Sequence, residues 1–164
     1  MNIGVSCVLN INNKNKKNEE LLDHIYAEAR KQKNFWVEYN IKEIYLIQSK
    51  NDLSSIAKEH LESISGNVYI LLNEDKDILY VGKSKSIKKR IKEHLVKCSS
   101  STSSQIQNVY DFLKEKNLSG KDNIKIYIFV LNVEPNEYYG TIEGLIINDL
   151  IKKSNNTCWN VRQD

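Results

Sequence analysis

Two apolar runs separated by polar residues mark the middle of the chain. Residues 68–73 and 78–83 are rich in the aliphatic, β-branched and aromatic residues that favour strands, whereas residues 74–77 are polar. This pattern predicts a β-hairpin. The centre of the polar segment, Asp75 and Lys76, is the expected centre of its turn.

The predicted hairpin places two tyrosines on one face. A turn centred there pairs Tyr69 with Gly82 and Tyr80 with Leu71, and directly opposed residues share a face of the sheet. The other face is apolar throughout and is the expected core face: Val68, Ile70, Leu72, Leu79 and Val81. We therefore expect the tyrosine face to be the one that can hold a ligand.

A basic helix is predicted directly after the hairpin. Ile87, Ile91 and Leu95 recur every four residues, as on the buried side of a helix, and Ser84 or Ser86 is expected to cap its start. Arg90 and His94 are also four residues apart and flank the apolar stripe. Both side chains should therefore project from the helix edge next to the core.

A second helix is predicted over about residues 137–152, after the break expected at Pro135. Its apolar set is Tyr138, Ile142, Leu145, Ile146 and Leu150. Glu143 lies one turn from Ile146, at or beside the apolar side of this helix. A carboxylate in that position costs free energy unless it is paired or binds a cation.

The remaining segments complete an α+β arrangement. In the first part of the chain, the pattern predicts strand, helix, strand and helix over residues 3–11, 19–33, 41–47 and 52–64. After the hairpin it predicts a serine-rich loop, a helix and a third strand over residues 98–105, 106–116 and 124–131. We therefore predict a small three-stranded antiparallel sheet flanked by helices in residues 66–164, and an N-terminal α/β extension in residues 1–65.

Composition excludes several classes of protein. The 164 residues are 40% hydrophobic, enough for one good core, and the net charge is only +3, so basicity is local. There is no run of 18 apolar residues, and a membrane span is not expected. Cys7, Cys98 and Cys158 are too scattered for a disulfide framework or a cysteine metal site. Since residues 1–11 also lack the plan of a secretion signal, we expect a cytoplasmic protein.

Five of these features, in this order, resemble the GIY-YIG nuclease family over about residues 66–161. They are Val68-Tyr69, then Tyr80-Val81-Gly82 eleven residues from tyrosine to tyrosine, Arg90 with His94, Glu143, and Trp159-Asn160. Asn67 stands where the first glycine of the motif is expected, and Gly66 lies one place early. Asn tolerates positive φ better than most residues, so we expect the entry to the strand to survive.

The resemblance implies hydrolysis of phosphodiester bonds in double-stranded DNA, with one divalent cation, Mg²⁺ or Mn²⁺, bound by Glu143. Arg90 would clamp a phosphate oxygen and stabilise the transition state. Tyr69 is the first choice for the general base and His94 the alternative, because the pKa of an imidazole already lies near neutral pH. Tyr80 would orient the water or the phosphate.

Other implied roles are supporting ones. Positive charge from Lys83 and His94 would lower the pKa of Tyr69, and Asn160 would brace the site. The exposed face of the basic helix would contact DNA through Lys85, Lys88, Lys89 and Lys92.

The likeness leaves the biological setting open. Few residues follow Asn160, so we expect a compact, stand-alone endonuclease, of the restriction or the repair type. Residues 1–65 would serve DNA recognition or dimerisation, and a homodimer would allow both strands to be cut. The alternatives are a noncatalytic DNA-binding module, and a nicking or repair component that depends on a partner.

Overall fold

The predicted hairpin is confirmed, and its register is the expected one from Val68 to Leu71. A computed structural model describes residues 6–10, 17–31, 36–40, 61–95 and 123–153, with β3 at Val68–Leu72 and β4 at Ile78–Lys83. These two antiparallel strands pair Tyr69 with Gly82 and Leu71 with Tyr80. The two tyrosines therefore share one face of the sheet, as the alternation of side chains requires.

The register changes at the turn end of the hairpin. Leu72 pairs with Ile78, not with Leu79 as expected, because the pairing shifts between Leu71 and Leu72. Such a shift puts one extra residue into one strand, as in a β-bulge. As a result, Ile78 packs in the core with Leu72, in the place that the regular register assigned to Leu79.

The third strand runs through the middle of the sheet. This strand, β5 (Asn123–Glu134), pairs antiparallel with β3, and Val68 lies opposite Leu131. The order β5-β3-β4 is the predicted three-stranded antiparallel sheet, and helices flank it. The predicted α+β fold class is therefore confirmed. Residues 98–116, with the predicted loop and helix, lie outside the described part of the chain.

The first part of the chain adds to the same sheet. Strand β1 (Ser6–Asn10) pairs parallel with β5, and β2 (Trp36–Asn40) pairs antiparallel with it, both on the edge of β5 away from β3. Between them, α1 (Asn18–Arg30) is the helix expected from residue 19 onward. The strand expected at residues 41–47 lies outside the described residues.

Residues 61–63 are helical, at the end of the helix expected over residues 52–64, most of which also lies outside the described ranges. The division of the chain at residue 65 remains a prediction, since the described strands from both parts belong to one sheet.

The main core lies between one face of the sheet and two helices. The second of these, α3 (Tyr139–Lys152), follows a short 3₁₀ turn at Asn136–Tyr138. The helices contribute Leu22, Ile25, Tyr26, Ala29, Ile142, Ile146 and Leu150 to this core. Tyr138, expected to point inward, is 42% exposed. It belongs to the 3₁₀ turn, where the helical phase of α3 has not begun.

The tyrosine face of the sheet, which was expected to be the one that can hold a ligand, is also buried. Tyr69 and Leu71 are fully buried and Tyr80 is nearly so. The helix expected after the hairpin, α2 (Ile87–Leu95), buries Ile87 and Ile91. Just before this helix, the Ser84 hydroxyl accepts a hydrogen bond from the Ser86 amide at 3.0 Å, which forms a serine turn. A serine cap on the amides of the first helical turn stays a prediction.

A buried polar contact connects α1 to α3. The Tyr26 hydroxyl donates a hydrogen bond to Oδ2 of Asp149 at 2.6 Å, and the Lys153 ammonium lies 2.8 Å from the same oxygen. Burial acts to raise the pKa of Asp149, but the hydrogen bonds from Lys153 and Tyr26 outweigh it and hold that pKa below its ordinary value. None of the described helices is long and apolar enough to cross a membrane.

Tyr26→Phe tests this link between the helices. The change removes a hydrogen bond to a charged group, so we expect the free energy of unfolding in urea to fall by about 1.5 kcal/mol at neutral pH. Because the folded-state pKa of Asp149 is lowered, its stabilising charge is lost as pH falls through that pKa. The difference between the parent and Tyr26→Phe should therefore shrink on acidification. Tyr138→Phe, at an exposed tyrosine, is the matched control, and an equal loss in both variants would contradict the link.

Candidate active site

Two phenols form the buried half of the site. The ring centroids of Tyr69 and Tyr80 lie 5.9 Å apart, with the ring planes inclined by 42°. The Tyr69 ring crosses over Gly82, and a Cβ atom at that glycine would overlap the ring. The packing of Tyr69 therefore requires a glycine at position 82.

Burial dominates the acidity of both phenols. It raises the pKa of Tyr69 far above its ordinary value, and the proximity of Tyr80 adds to the rise. Burial also raises the pKa of Tyr80, although Arg90 and a hydrogen bond with Tyr69 act in the opposite direction. That hydrogen bond raises the pKa of Tyr69 and lowers that of Tyr80, as expected when Tyr69 is the donor.

Arg90 is the cation beside the phenols. It is half-buried on α2, and its charge and hydrogen bonding lower the pKa of both Tyr69 and Tyr80. Arg90 therefore lies beside buried side chains, as its position next to the apolar stripe of α2 predicted. Lys83, which was expected to lower the pKa of Tyr69, is engaged elsewhere.

Lys83 forms an ion pair with Glu143. The ammonium nitrogen lies 3.0 Å from Oε2 of Glu143, and the two side chains are 46% and 17% exposed. A hydrogen bond with Glu143 raises the pKa of Lys83. The pairing satisfies the requirement set by the position of Glu143 beside the apolar side of α3, where an unpaired carboxylate would be costly.

The two halves of the site meet around an edge of the sheet. Strand β4 is the terminal strand of the described sheet, and it carries both Tyr80 and Lys83. Lys83 pairs with Val68 and so belongs to the face that packs against α3, whereas the tyrosines belong to the opposite face. Glu143 nevertheless raises the pKa of Tyr80, so its charge reaches the phenols.

Gly66, and not Asn67, has the backbone conformation that favours the first glycine of the motif. Gly66 has a φ of +155°, a backbone conformation that favours glycine, and it lies against β5 where a Cβ atom would collide with the Leu131 carbonyl. Among the described non-glycine residues, only Lys76, in the hairpin turn, has a positive φ. The entry to the strand is retained as expected, since β3 begins at Val68, but Asn67 does not adopt a positive φ.

Some predicted site residues fall outside the described positions. The backbone of α2 reaches Leu95, but its side chains are described only as far as Ile91, so His94 and Lys92 are not covered. Asn160 and its neighbour Trp159 also lie outside the described part of the chain. Of the predicted DNA-binding lysines, those described are exposed: Lys85, Lys88 and Lys89.

Two residues near the site were not anticipated from the sequence. Asn136 is exposed in the 3₁₀ turn before α3, and its side-chain oxygen accepts a hydrogen bond from Asn67 at 2.8 Å. Gly140 lies beneath the Lys83 side chain, where a Cβ atom would be 3.2 Å from the ammonium nitrogen. A glycine in the first turn of a helix, three residues before the predicted metal ligand Glu143, was the available signal for Gly140.

Glu143 is the candidate metal ligand in the described site. No group of three or more His, Cys, Asp or Glu side chains within the described ranges is placed to hold a metal ion. A carboxylate is a hard oxygen donor of the kind that Mg²⁺ prefers, and Mg²⁺ commonly uses one or two carboxylates together with water and phosphate oxygens. Lys83 contacts Oε2 through a flexible, half-exposed side chain, so the donor chemistry of Glu143 fits such an ion.

Comparison with known protein families identifies the family of this chain. The GIY-YIG catalytic domain matches residues 65–155, more than half of the chain, and this range includes the tyrosines, Arg90, Lys83 and Glu143. Comparisons with curated proteins and with solved structures gave no match.

Gly82→Ala tests the packing of Tyr69. Because the added methyl group would overlap the Tyr69 ring, we expect the free energy of unfolding to fall by about 1–3 kcal/mol, as for other overpacked cores. Gly144→Ala is the matched control, since the space around Gly144 is open and alanine favours a helix by up to about 1 kcal/mol. Urea unfolding measures both. Equal stability of the two variants would show that the ring does not occupy this position.

Proposed function

The chain belongs to the GIY-YIG catalytic domain family, and from that premise we propose that it hydrolyses phosphodiester bonds in double-stranded DNA. Membership itself implies a nuclease. One observation supports the finer proposal: the guanidinium of Arg90 lowers the pKa of both buried phenols, and the charge of Glu143 reaches one of them. A cationic clamp, two phenols and a carboxylate are thus in electrostatic contact.

Arg90 is the proposed clamp on the scissile phosphate. Its guanidinium is permanently charged and planar, and it can donate two parallel hydrogen bonds to phosphate oxygens. It is half-buried beside Tyr69 and Tyr80, where the low local dielectric strengthens its attraction for negative charge. Charge that grows on the phosphate in the transition state would be stabilised there.

Glu143 is the proposed ligand for one divalent cation, Mg²⁺ or Mn²⁺. When bound, such an ion neutralises phosphate charge and acts as a Lewis acid. The carboxylate is held in place by the buried apolar neighbours of α3 and by Lys83. Lys83 then has two roles, to compensate the charge of Glu143 in the resting site and to meet the phosphate once a substrate is bound.

Tyr69 is the proposed general base, with Tyr80 orienting the water or the phosphate. The two phenols are hydrogen-bonded, so the loss of one proton belongs to the pair and not to either ring alone. A phenol with a raised pKa is a strong base when ionised but is scarcely ionised at neutral pH. We propose that Arg90 supplies the charge that makes the ionised pair accessible.

The substrate would approach along the exposed lysines of α2. Lys85, Lys88 and Lys89 are exposed on or beside the helix that carries Arg90, and phosphate contacts of this kind add affinity without sequence preference. Lys92 would extend the same surface. His94 is kept as the alternative base and Asn160 as a bracing residue.

A plasmid assay separates this function from its alternatives. We expect the protein with Mg²⁺ to cleave supercoiled plasmid, and Glu143→Gln to lower the rate by at least about 100-fold, because the change removes the charge of the only proposed metal ligand. Glu137→Gln is the matched control at an exposed glutamate in the 3₁₀ turn, and it should cleave at the parent rate.

The products distinguish the remaining possibilities. Linear plasmid formed directly supports an endonuclease that makes paired cuts, as the proposed homodimer would, whereas open circles alone support a nicking or repair component. Retarded DNA without cleavage would overturn catalysis in favour of a noncatalytic DNA-binding module. Equal rates for the two Gln variants would remove Glu143 from the site.

The pH dependence of turnover identifies the base. Because the pKa of Tyr69 is raised, we expect kcat to increase about tenfold per pH unit between about pH 6 and 9, and Tyr69→Phe to lower kcat about 100-fold with little change in DNA affinity. Tyr127→Phe, on β5 away from the site, is the control and should keep the parent rate.

A different profile would assign the base to another residue. A rate that levels off above about pH 7.5 is the behaviour of a histidine base and would move the role to His94. A larger loss in Tyr80→Phe than in Tyr69→Phe would instead assign the role to Tyr80.

A further inference from the structure

Asn67 is a buried polar residue whose side-chain oxygen and nitrogen are both hydrogen-bonded. It is 5% exposed. Its side-chain oxygen accepts a hydrogen bond from the Val133 amide at 2.8 Å, and its side-chain nitrogen donates to the Val133 carbonyl at 3.1 Å and to Oδ1 of Asn136 at 2.8 Å. Buried amides are rarely satisfied so fully by chance, because each group must find its own partner.

The side chain of Asn67 extends the pairing of the sheet beyond β3. The Asn67 amide donates to the Leu131 carbonyl at 2.9 Å, the last backbone bond from this end of β3 to β5. At Val133, the Asn67 carboxamide then takes both hydrogen bonds that a strand residue would have made. The end of β5 that leads into the 3₁₀ turn is therefore held by a side chain.

The backbone of Asn67 connects to the other half of the site. Its carbonyl accepts a hydrogen bond from the Ser84 amide at 3.0 Å, next to Lys83. One residue is thus bonded to the end of β4, to the end of β5 and to the turn that begins α3. Lys83 is the last residue of the first of these elements, and Glu143 lies in the helix that follows the last.

We propose that Asn67 is a positioning residue, which sets the separation between the Lys83 end of β4 and the start of α3 and so holds Glu143 against Lys83. The proposal rests on the proposed function, in which Glu143 and Lys83 act on one phosphate. A glycine at this position, as the family motif has, offers no carboxamide. In this chain Gly66 has the backbone conformation that favours glycine. Position 67 can therefore carry a side chain that makes hydrogen bonds to β5 and to the turn before α3.

Asn136 offers a test that does not disturb the core, because it is exposed and contributes only an acceptor. Asn136→Ala removes the acceptor for the Asn67 side chain, whereas Asn136→Asp keeps an oxygen in the same place. With the full chain, we expect kcat for plasmid cleavage to fall about tenfold in Asn136→Ala, with the KM for DNA within about twofold of the parent, and to recover in Asn136→Asp. Asn67→Ala should show the same loss or a larger one.

A second measurement does not depend on activity. In ¹H–¹⁵N NMR spectra, Asn136→Ala should shift the amide signals of Ser84 and Glu143, and Asn136→Asp should return them toward the parent positions. Leu22→Ala, which weakens the same core from α1, is the stability control and should lower Tm without changing kcat or these signals.

Each outcome has one meaning. Parent-like kcat and parent-like Ser84 and Glu143 signals in Asn136→Ala would overturn the positioning role, as would equal losses in the Ala and Asp variants. If the parent does not cleave DNA, the proposed function fails, and the NMR comparison alone decides whether Asn67 positions Glu143. A loss of kcat in Leu22→Ala equal to that in Asn136→Ala would reduce the effect to general stability.

Discussion

The antiparallel pairing of β3 with β5 is the interaction on which the rest of the structure depends. β3 also holds β4, so the tyrosines, Gly82 and Lys83 are all placed relative to β5 through this one ladder. The opposite edge of β5 holds β1 and β2. A slip of one residue between β3 and β5 would exchange Tyr69 with its apolar neighbours across the sheet. Because both faces are buried, such a slip would be costly, and the register is strongly specified.

The site balances burial against charge. Burial of the two phenols disfavours their ionised form, and Arg90 opposes that effect from the same side of the sheet. On the other side, the Lys83 ammonium forms an ion pair with Glu143 beside apolar neighbours of α3. The two pairs are connected by the influence of Glu143 on Tyr80. Each charged group in this part of the site therefore has a physical reason for its place, independent of any bound substrate.

Local pattern accounts for much of this structure, and non-local pairing accounts for what the pattern missed. The alternation in residues 68–83 predicted the register at Tyr69 and Tyr80, and the spacing of Ile87, Arg90 and Ile91 predicted the side of α2 that faces the core. The shift at Leu72 depends on the geometry of the turn, which alternation does not encode. The burial of the tyrosine face requires a covering helix, and the direction in which a helix folds back is not a property of the strand. Likewise, the hydrogen bonds of the Asn67 side chain could not be predicted from local pattern. Their partners, Val133 and Asn136, lie 66 and 69 positions further along the chain.

The placement of the site at a margin of the sheet separates two tasks that nucleases must combine. The side chains proposed for bond breaking are fixed by β3, β4, α2 and α3, and they converge at the outermost strand of the described sheet. A DNA duplex could reach these side chains from the side, without separating β-strands of the described sheet. Under the proposed function, selection of the target would fall to surfaces around this margin, apart from the side chains proposed for hydrolysis. Such an architecture would allow target preference to change without any change in the groups proposed for hydrolysis.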